Sequence, residues 1–236
     1  NKGAEADDIP GEKTAGITRQ RLRMQTMEEH MLMFDPVYRQ IRFETDEAGR
    51  PAGKYPDIPH GICITEQGTA AVCFEVPEAV SVEAALDGKE FLKLRKDQEI
   101  QGYWTGEIHS ITPGYHNVYF RANGTDIINP DAPVGYSGDR AVNYLEMPEE
   151  DFEEYRIRQV PHGTVHYEYY KSNSTGRTKL CYVYTPAGYE EHPEKRYPVL
   201  YLQHGGGENE VGWIWQGKLA NIADNLIAKG QMKEMI

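Results

Sequence analysis

The spacing of apolar positions changes twice along this chain of 236 residues, and each change predicts a different kind of structure. Residues 1–57 form an extension that begins polar and rich in glycine and acidic side chains. Within it, apolar residues near helical spacing predict a helix over residues 18–34, which Pro36 would end because proline cannot continue a helix. We expect the methionine-bearing face of this helix to pack on its own domain, with partner binding as the alternative.

Residues 58–147 show short alternating segments broken by glycine, proline and asparagine, a pattern typical of strands. Asn123-Gly124 predicts a hairpin, because both central positions of a type I′ turn have positive φ. The segments predicted as strands are residues 61–66, 70–76, 81–86, 102–108, 117–122 and 126–128. Their number and spacing favour a β-sandwich, and the acidic, proline-led residues 148–159 that follow are the predicted linker.

From residue 160 onward the pattern changes again. Alternation predicts two strands, at residues 163–170 and 179–185. Residues 199–202 are apolar at consecutive positions, as in a strand that is covered on both faces. A helix with one apolar face is predicted over residues 216–229, with Gly230 as its C-terminal cap. Strands followed by an amphipathic helix indicate an α/β organisation.

The charge balance excludes several classes of partner. The chain has 25 basic and 37 acidic residues, a net charge of −12, which disfavours binding to nucleic acid or to an anionic membrane surface.

No apolar run approaches the roughly 20 residues that span a bilayer. The chain opens without a signal peptide, and its location is left open between secreted and cytoplasmic. The oligomeric state is also left open.

The chain has three cysteines, too few for a disulfide framework. Cys63 and Cys73 flank a predicted turn at Gln67-Gly68 and could face each other across a hairpin, but free buried thiols in strands are the favoured interpretation. The spacing of histidine and cysteine does not match a zinc site. We therefore predict no metal and no cofactor.

Two sets of short motifs resemble known families. Residues 160–165 (VPHGTV), 183–189 (VYTPAGY), 197–207 and 213–230 resemble carbohydrate esterase family 1, which includes feruloyl and acetylxylan esterases and relatives of enterochelin esterase. Residues 102–104 (GYW), 113–114, 119–120 and 129–131 resemble the immunoglobulin-like early-set domain similar to family 48 carbohydrate-binding modules. The resemblance implies an all-β immunoglobulin-like sandwich over residues 58–147, followed by the incomplete N-terminal part of an α/β-hydrolase fold over residues 160–236.

The resemblance also implies an activity, that of a serine carboxylesterase. Its substrates would be ester substituents of plant polysaccharide, of the feruloyl or acetyl xylan type, cleaved through an acyl-enzyme by a Ser-His-Asp/Glu triad. The partner would be a polysaccharide or a small ester. The alternative is a carbohydrate-binding or docking module without catalysis, for which Tyr103, Trp104 and Tyr119 could form a sugar platform. Core packing is the favoured role of these aromatic residues.

The nucleophile of such an enzyme lies in a G-x-S-x-G elbow between a strand and a helix. Of the five serines only Ser137 comes near this motif, and Asp139 stands where the second glycine should be. We therefore expect no triad residue in this chain. In the fold that the resemblance implies, residues 233–236 would begin the next strand, and residues 199–202 would otherwise have open edges. We expect the chain to be a fragment of a longer polypeptide and to be inactive alone.

What the chain retains is the oxyanion-binding half of the machinery. The glycine turn at Gly205, Gly206 and Gly207 follows a predicted strand, and glycine lets backbone N–H groups approach a developing oxyanion closely. Gly206 is the strongest candidate donor. By resemblance, His204 supports the turn by hydrogen bonding and is not the catalytic base. Trp213 and Gln216 are candidate substrate-binding residues, with packing as the alternative for Trp213.

Overall fold

The computed structural model describes residues 23–24, 42–45, 47–49, 51–54, 61–98, 101–138 and 140–236. The chain divides into two compact units, which we call unit 1 (residues 1–135 and 142–147) and unit 2 (residues 136–141 and 148–236). The strands are β1 (Arg23–Met24), β2 (Arg42–Thr45), β3 (Pro51–Lys54), β4 (Gly61–Ile64), β5 (Ala70–Glu75), β6 (Val82–Leu86), β7 (Leu92–Lys93), β8 (Arg95–Lys96), β9 (Tyr103–Ile108), β10 (Gly114–Ala122), β11 (Thr125–Ile127), β12 (Val134–Ser137), β13 (Arg140–Met147), β14 (Thr164–Lys171) and β15 (Thr178–Thr185). A 3₁₀ turn (Tyr189–Glu191) and the helices α1 (Gly212–Trp215) and α2 (Leu219–Ala228) follow.

Most strands belong to two larger sheets. One has the order β1-β4-β5-β9-β8, and the other the order β12-β13-β10-β6-β7, with β11 beside β10. Strands β2 and β3 form a separate antiparallel pair. Register is fixed along β10, where Val118 is opposite both Leu86 of β6 and Asn143 of β13.

The core of unit 1 lies between its two sheets. Val72, Phe74 and Trp104 come from one sheet, and Val118 and Phe120 come from the other. The rings of Phe74 and Phe120 meet edge to face, with their centroids 5.3 Å apart. All five side chains are at most 5% exposed, so alternate positions of each strand point into one shared apolar layer.

The hairpin between β10 and β11 follows from its two turn residues. Asn123 has φ +52° and Gly124 has φ +80°, the two positive values that a type I′ turn requires. The side-chain oxygen of Asn123 also accepts hydrogen bonds from the backbone N–H groups of Val80 and Ser81, at 2.8 and 3.1 Å. Asn123 thus sets the turn and ties it to the segment that precedes β6.

Strand β13 was not predicted, and its buried asparagine explains why. Asn143 is fully buried and exchanges two hydrogen bonds of 2.8 Å with the backbone N–H and C=O of Asn129. Its neighbours Val142, Tyr144 and Leu145 are buried as well. Because a polar residue stands in a strand that is covered on both faces, the sequence here shows neither alternation nor a continuous apolar run.

Unit 2 contains the β14–β15 hairpin, the 3₁₀ turn and the two helices. Helix α2 begins at Leu219, after Lys218 takes a left-handed conformation with φ +49°. Gly230, with φ +68°, follows its end, and the N–H groups of Gly230 and Gln231 donate to the carbonyls of Ile227 and Leu226. This is the Schellman arrangement that closes a helix C-terminus, and it confirms the predicted glycine cap.

The predicted fold class, an all-β immunoglobulin-like sandwich followed by the N-terminal part of an α/β-hydrolase, is wrong. The described residues are mostly β-sheet with few helices, and no sheet covered by helices on both faces forms among them. Within the helix predicted over residues 18–34, Arg23 and Met24 instead form β1, paired with β4. The other residues of that helix lie outside the described ranges.

The strand predicted at residues 199–202 is also wrong. These residues form no strand, and Tyr201 is 90% exposed. The N–H of Leu200 donates to the carbonyl of Ile236 at 2.7 Å, and the N–H of Ile236 donates to that of Pro198 at 2.9 Å. This pair of bonds brackets Val199 in the pattern of a parallel ladder. A run of consecutive apolar residues forms a buried strand only where neighbouring elements cover both of its faces. Among the described residues no element covers residues 199–202, which are exposed.

The three cysteines are free. Cys63 is opposite Ala71 and Cys73 is opposite Gly61 in the β4–β5 pair, so the two thiols do not face each other. Burial raises the pKa of Cys63 to about 11 and, with added repulsion from Asp97, that of Cys73 to about 12. Cys63 and Cys73 are buried thiols in strands, the interpretation that the sequence favoured.

Candidate functional site

One residue of the glycine turn, Gly205, has both its backbone N–H and its backbone carbonyl hydrogen-bonded within the chain. The N–H of Gly205 donates to the carboxylate of Glu208 at 3.0 Å. The carbonyl of Gly205 accepts from the ring Nδ1–H of His204 at 2.8 Å and from the N–H of Glu208 at 3.3 Å. The polar atoms of Gly205 are therefore engaged, and His204 makes the kind of contact that a supporting role requires.

The next two glycines differ from Gly205. Among the described residues, neither the N–H of Gly206 nor that of Gly207 has a hydrogen-bond partner. A Cβ added to Gly206 would have no atom within 4 Å, and Gly207 has φ +80°. Position 207 requires glycine for its backbone conformation, and position 206 faces open space. The turn therefore offers two backbone donors to a ligand.

Trp213 and Gln216 are both tied to backbone carbonyls of unit 2. The indole N–H of Trp213, on α1, donates to the carbonyl of Gln203 at 3.0 Å, and the side-chain amide of Gln216 donates to the carbonyl of Tyr136. Trp213 thus connects α1 to the segment that leads into the glycine turn. Both residues remain candidates for substrate binding, and each also holds a loop in place.

A cleft of about 290 Å³ opens beside the turn, and all its lining residues belong to unit 2. Gly207 and Glu208 form its turn side, and its other lining residues include the aromatic Tyr136 and Trp215 and the polar Asn209 and Gln216. Trp213 is not among the lining residues. Aromatic walls with a few polar groups are typical of small-molecule sites, and Tyr136 and Trp215 were not identified from the sequence.

A second cluster in unit 2 converges on Asp224 of α2, which is 4% exposed. Its carboxylate accepts from the ring Nδ1–H of His162 at 2.8 Å, from the N–H of Gly163 at 2.9 Å and from the hydroxyl of Tyr184 at 2.7 Å. Burial and the bond to Asp224 raise the pKa of Tyr184 above its usual value. A Cβ on Gly163 would lie 2.4 Å from the carbonyl oxygen of Thr185, so only glycine fits.

This Asp224 cluster was missed because its other members are 40 to 62 residues from Asp224 in the chain. It fixes α2, the second helix after the glycine turn, to the residues just before β14 and to the end of β15. The pairing of a buried aspartate with a half-exposed histidine resembles part of a triad. Among the described residues, no serine, threonine or cysteine side chain hydrogen-bonds to the ring of His162. We therefore assign the cluster a positioning role.

Other candidates from the sequence do not form sites in the described residues. Ser137 ends β12 and is followed by β13, a strand–turn–strand context rather than an elbow before a helix. Tyr103 and Trp104 are at most 7% exposed, and the indole of Trp104 donates to the carbonyl of Val76. These two residues are core residues, as favoured above.

The described ranges contain neither a metal-binding cluster nor a helix that could span a membrane. No group of three or more His, Cys, Asp or Glu side chains there could hold a metal ion. No helix there has the length and apolar character to cross a lipid bilayer.

Comparison with known proteins gives two relatives named as xylanases, one of which is also named a feruloyl esterase. No family model matches the chain. It is 35% identical over 201 residues to an endo-1,4-beta-xylanase/feruloyl esterase of Xylanibacter ruminicola, an alignment that covers 82% of this chain and 27% of that protein. It is 46% identical over 61 residues, 25% of this chain and 5% of the relative, to endo-1,4-beta-xylanase Y of Acetivibrio thermocellus. The chain thus spans about a quarter or less of the curated relatives it matches.

Among solved structures, the enterobactin esterase FES from Shigella flexneri matches with a TM-score of 0.51 at 11% identity, over 77% of this chain and 52% of that one. At this identity the likeness concerns the fold alone. The matched share exceeds the part of the chain that follows residue 160, so strands of unit 1 take part in it. The solved esterase structure is therefore similar in fold to parts of both units. The predicted fold class had instead assigned residues 58–147 to a separate all-β module.

Proposed function

We propose that this chain is the N-terminal portion of a serine carboxylesterase acting on ester substituents of plant polysaccharide, of the feruloyl or acetyl xylan type. The observation that carries the proposal is the glycine turn with two unpaired backbone N–H groups beside a cleft. The name of the Xylanibacter ruminicola relative supports the activity and the acyl group. The likeness to an enterobactin esterase supports the fold in which such a turn would act.

The chemistry is acyl transfer through a serine, with the triad on residues that this chain does not contain. As the serine attacks the ester carbonyl, negative charge develops on the carbonyl oxygen. Donors held in place before the reaction stabilise that charge without a cost of reorganisation. The N–H groups of Gly206 and Gly207 are suited to this role because the described residues leave them unpaired.

The cleft beside the turn suits the acyl group. Its volume, about 290 Å³, is close to the lower end of the range for small-molecule pockets. Tyr136 and Trp215 place aromatic residues beside a planar acyl group, and Asn209 adds a polar side chain to the lining. This composition favours an aromatic acyl group, such as feruloyl, over acetyl.

The test is made on the longer polypeptide, with Gly206→Val as the key variant. The added side chain points into open space, so we expect the variant to fold and to crowd the approach to the donors. Loss of one oxyanion donor lowers kcat by about 10² to 10³, and we expect a loss of that order in methyl ferulate hydrolysis with a smaller change in KM. A serine-directed fluorophosphonate should label and inactivate the wild-type enzyme.

Two controls accompany this measurement. His204→Asn should chiefly lower stability, because His204 supports the turn through the Gly205 carbonyl. The 236-residue chain alone should not hydrolyse nitrophenyl acetate above background. A folded Gly206→Val enzyme with near-full kcat would show that the glycine turn is not the oxyanion hole. A fluorophosphonate-sensitive activity of the 236-residue chain would show that the nucleophile had been missed.

A further inference from the structure

Glu208 lies at the glycine turn and contacts it twice. Its carboxylate accepts from the Gly205 N–H, and its own N–H donates to the Gly205 carbonyl. A Cβ added to Gly205 would lie 3.2 Å from the carboxylate oxygen. A side chain at position 205 would therefore crowd the carboxylate, which would have to shift by a few tenths of an ångström.

The charge of Glu208 makes this contact consequential. Glu208 is exposed and lines the cleft in which we propose that the oxyanion develops. A carboxylate free to move there would bond to the N–H groups of Gly206 and Gly207 and would repel the developing negative charge. Instead, the carboxylate accepts from the Gly205 N–H, which is the one N–H group of the three glycines that the proposed mechanism does not use.

We propose that Glu208 is the positioning residue of the oxyanion turn. Its carboxylate fixes the backbone N–H of Gly205, so that the N–H groups of Gly206 and Gly207 are directed to the substrate and that of Gly205 is not. This inference rests on the proposed esterase function. It goes beyond it by assigning a role to Glu208 and by reducing the three candidate glycines to two donors.

The experiment compares three variants of the longer polypeptide in methyl ferulate hydrolysis. Glu208→Ala removes the acceptor, and kcat should fall about tenfold or more with KM within about threefold, because misplaced donors lose transition-state stabilisation selectively. Glu208→Gln keeps an oxygen acceptor and should retain kcat within about threefold of wild type. Glu210→Ala, which removes an exposed carboxylate two residues further on, should leave both constants unchanged.

A second measurement separates this inference from the proposed function. Amide hydrogen exchange at Gly205, read by mass spectrometry with fragmentation, should be slow in the wild type and in Glu208→Gln and faster in Glu208→Ala. If the longer polypeptide hydrolyses no ester, the proposed function fails, while the exchange still tests the contact. An unchanged kcat in Glu208→Ala, or equal losses in Glu208→Ala and Glu208→Gln, would overturn the positioning role. Unchanged exchange at Gly205 in Glu208→Ala would overturn it as well.

Discussion

Asp224 shows how much one buried side chain can organise. Its two oxygens accept three hydrogen bonds, from His162, Gly163 and Tyr184, although the residue is 4% exposed. A buried carboxylate is tolerated only where such donors replace its water. Because the donors come from both sides of the β14–β15 hairpin, this single residue connects α2 to the hairpin.

We expect Asp224→Asn to lower the free energy of unfolding by about 2–3 kcal/mol, because one amide N–H₂ then faces a donor and leaves it unpaired. Tyr184→Phe removes only one donor and should cost about 1 kcal/mol. Urea unfolding followed by tryptophan fluorescence measures both. If the two substitutions cost the same, the three bonds to Asp224 do not act as described.

The cysteines give a second test at this scale. With a pKa of about 11, Cys63 is only about one-thousandth thiolate at pH 8, and Cys73, with a pKa of about 12, still less. Cys181 is half-exposed. At pH 8 we therefore expect iodoacetamide to modify one thiol in the folded protein and all three after unfolding, with mass spectrometry identifying Cys181. Rapid modification of Cys63 or Cys73 in the folded protein would contradict their burial.

At the scale of elements, α2 is attached to the segment before β14 by side-chain amides. The Nδ2 of Asn225 donates to the carbonyls of Glu154 and Arg156 at 2.7 and 2.8 Å, and that of Asn221 donates to the carbonyl of Tyr155 at 3.0 Å. Lys229, at the end of the helix, pairs with Glu154 and lowers the pKa of that carboxyl. The helix is thus positioned by polar side chains.

Asn225→Ala should lower the free energy of unfolding by about 2–4 kcal/mol, because it leaves two backbone carbonyls without their donor in a buried site. Asn225→Asp should cost a similar amount, since a carboxylate cannot donate. Asn221→Ala, at a half-exposed position with one bond, serves as the matched control and should cost about 1 kcal/mol. Equal losses at positions 221 and 225 would mean that burial does not determine the cost.

Elements with local causes were predictable from the sequence. Asn123-Gly124 determines its turn through its own φ values, and the Gly230 cap does the same at the end of α2.

The site was predictable only in part. Glu208 lies three residues from Gly205, a local contact that the sequence spacing alone does not reveal. The bond between His162 and Asp224 joins residues 62 positions apart, and no local pattern indicates it. The buried strand predicted at residues 199–202 was wrong because burial depends on neighbours that are distant in the sequence.

At the scale of the whole molecule, apolar exposure is uneven. Eight of the nine largest fully buried side chains are in unit 1, and the remaining one is Asn225. Unit 2 instead exposes large apolar side chains: Tyr167 is 63% exposed, Tyr169 71% and Tyr201 90%. Extensive apolar exposure marks surfaces that are covered in a functional assembly. Under the proposed function, the rest of the longer polypeptide covers them.

This unevenness predicts different local stabilities in the isolated 236-residue chain. Backbone amides of β14 and β15 should exchange with solvent faster than those of β5 and β10, because few buried apolar contacts oppose local opening there. The dye anilinonaphthalene sulfonate should fluoresce with the isolated chain, because it binds exposed apolar surface. Both effects should decrease in the longer polypeptide, in which Tyr201 and its neighbours are covered. Equal exchange in β14 and β10 of the isolated chain, without dye binding, would show that the apolar side chains of unit 2 are already covered there.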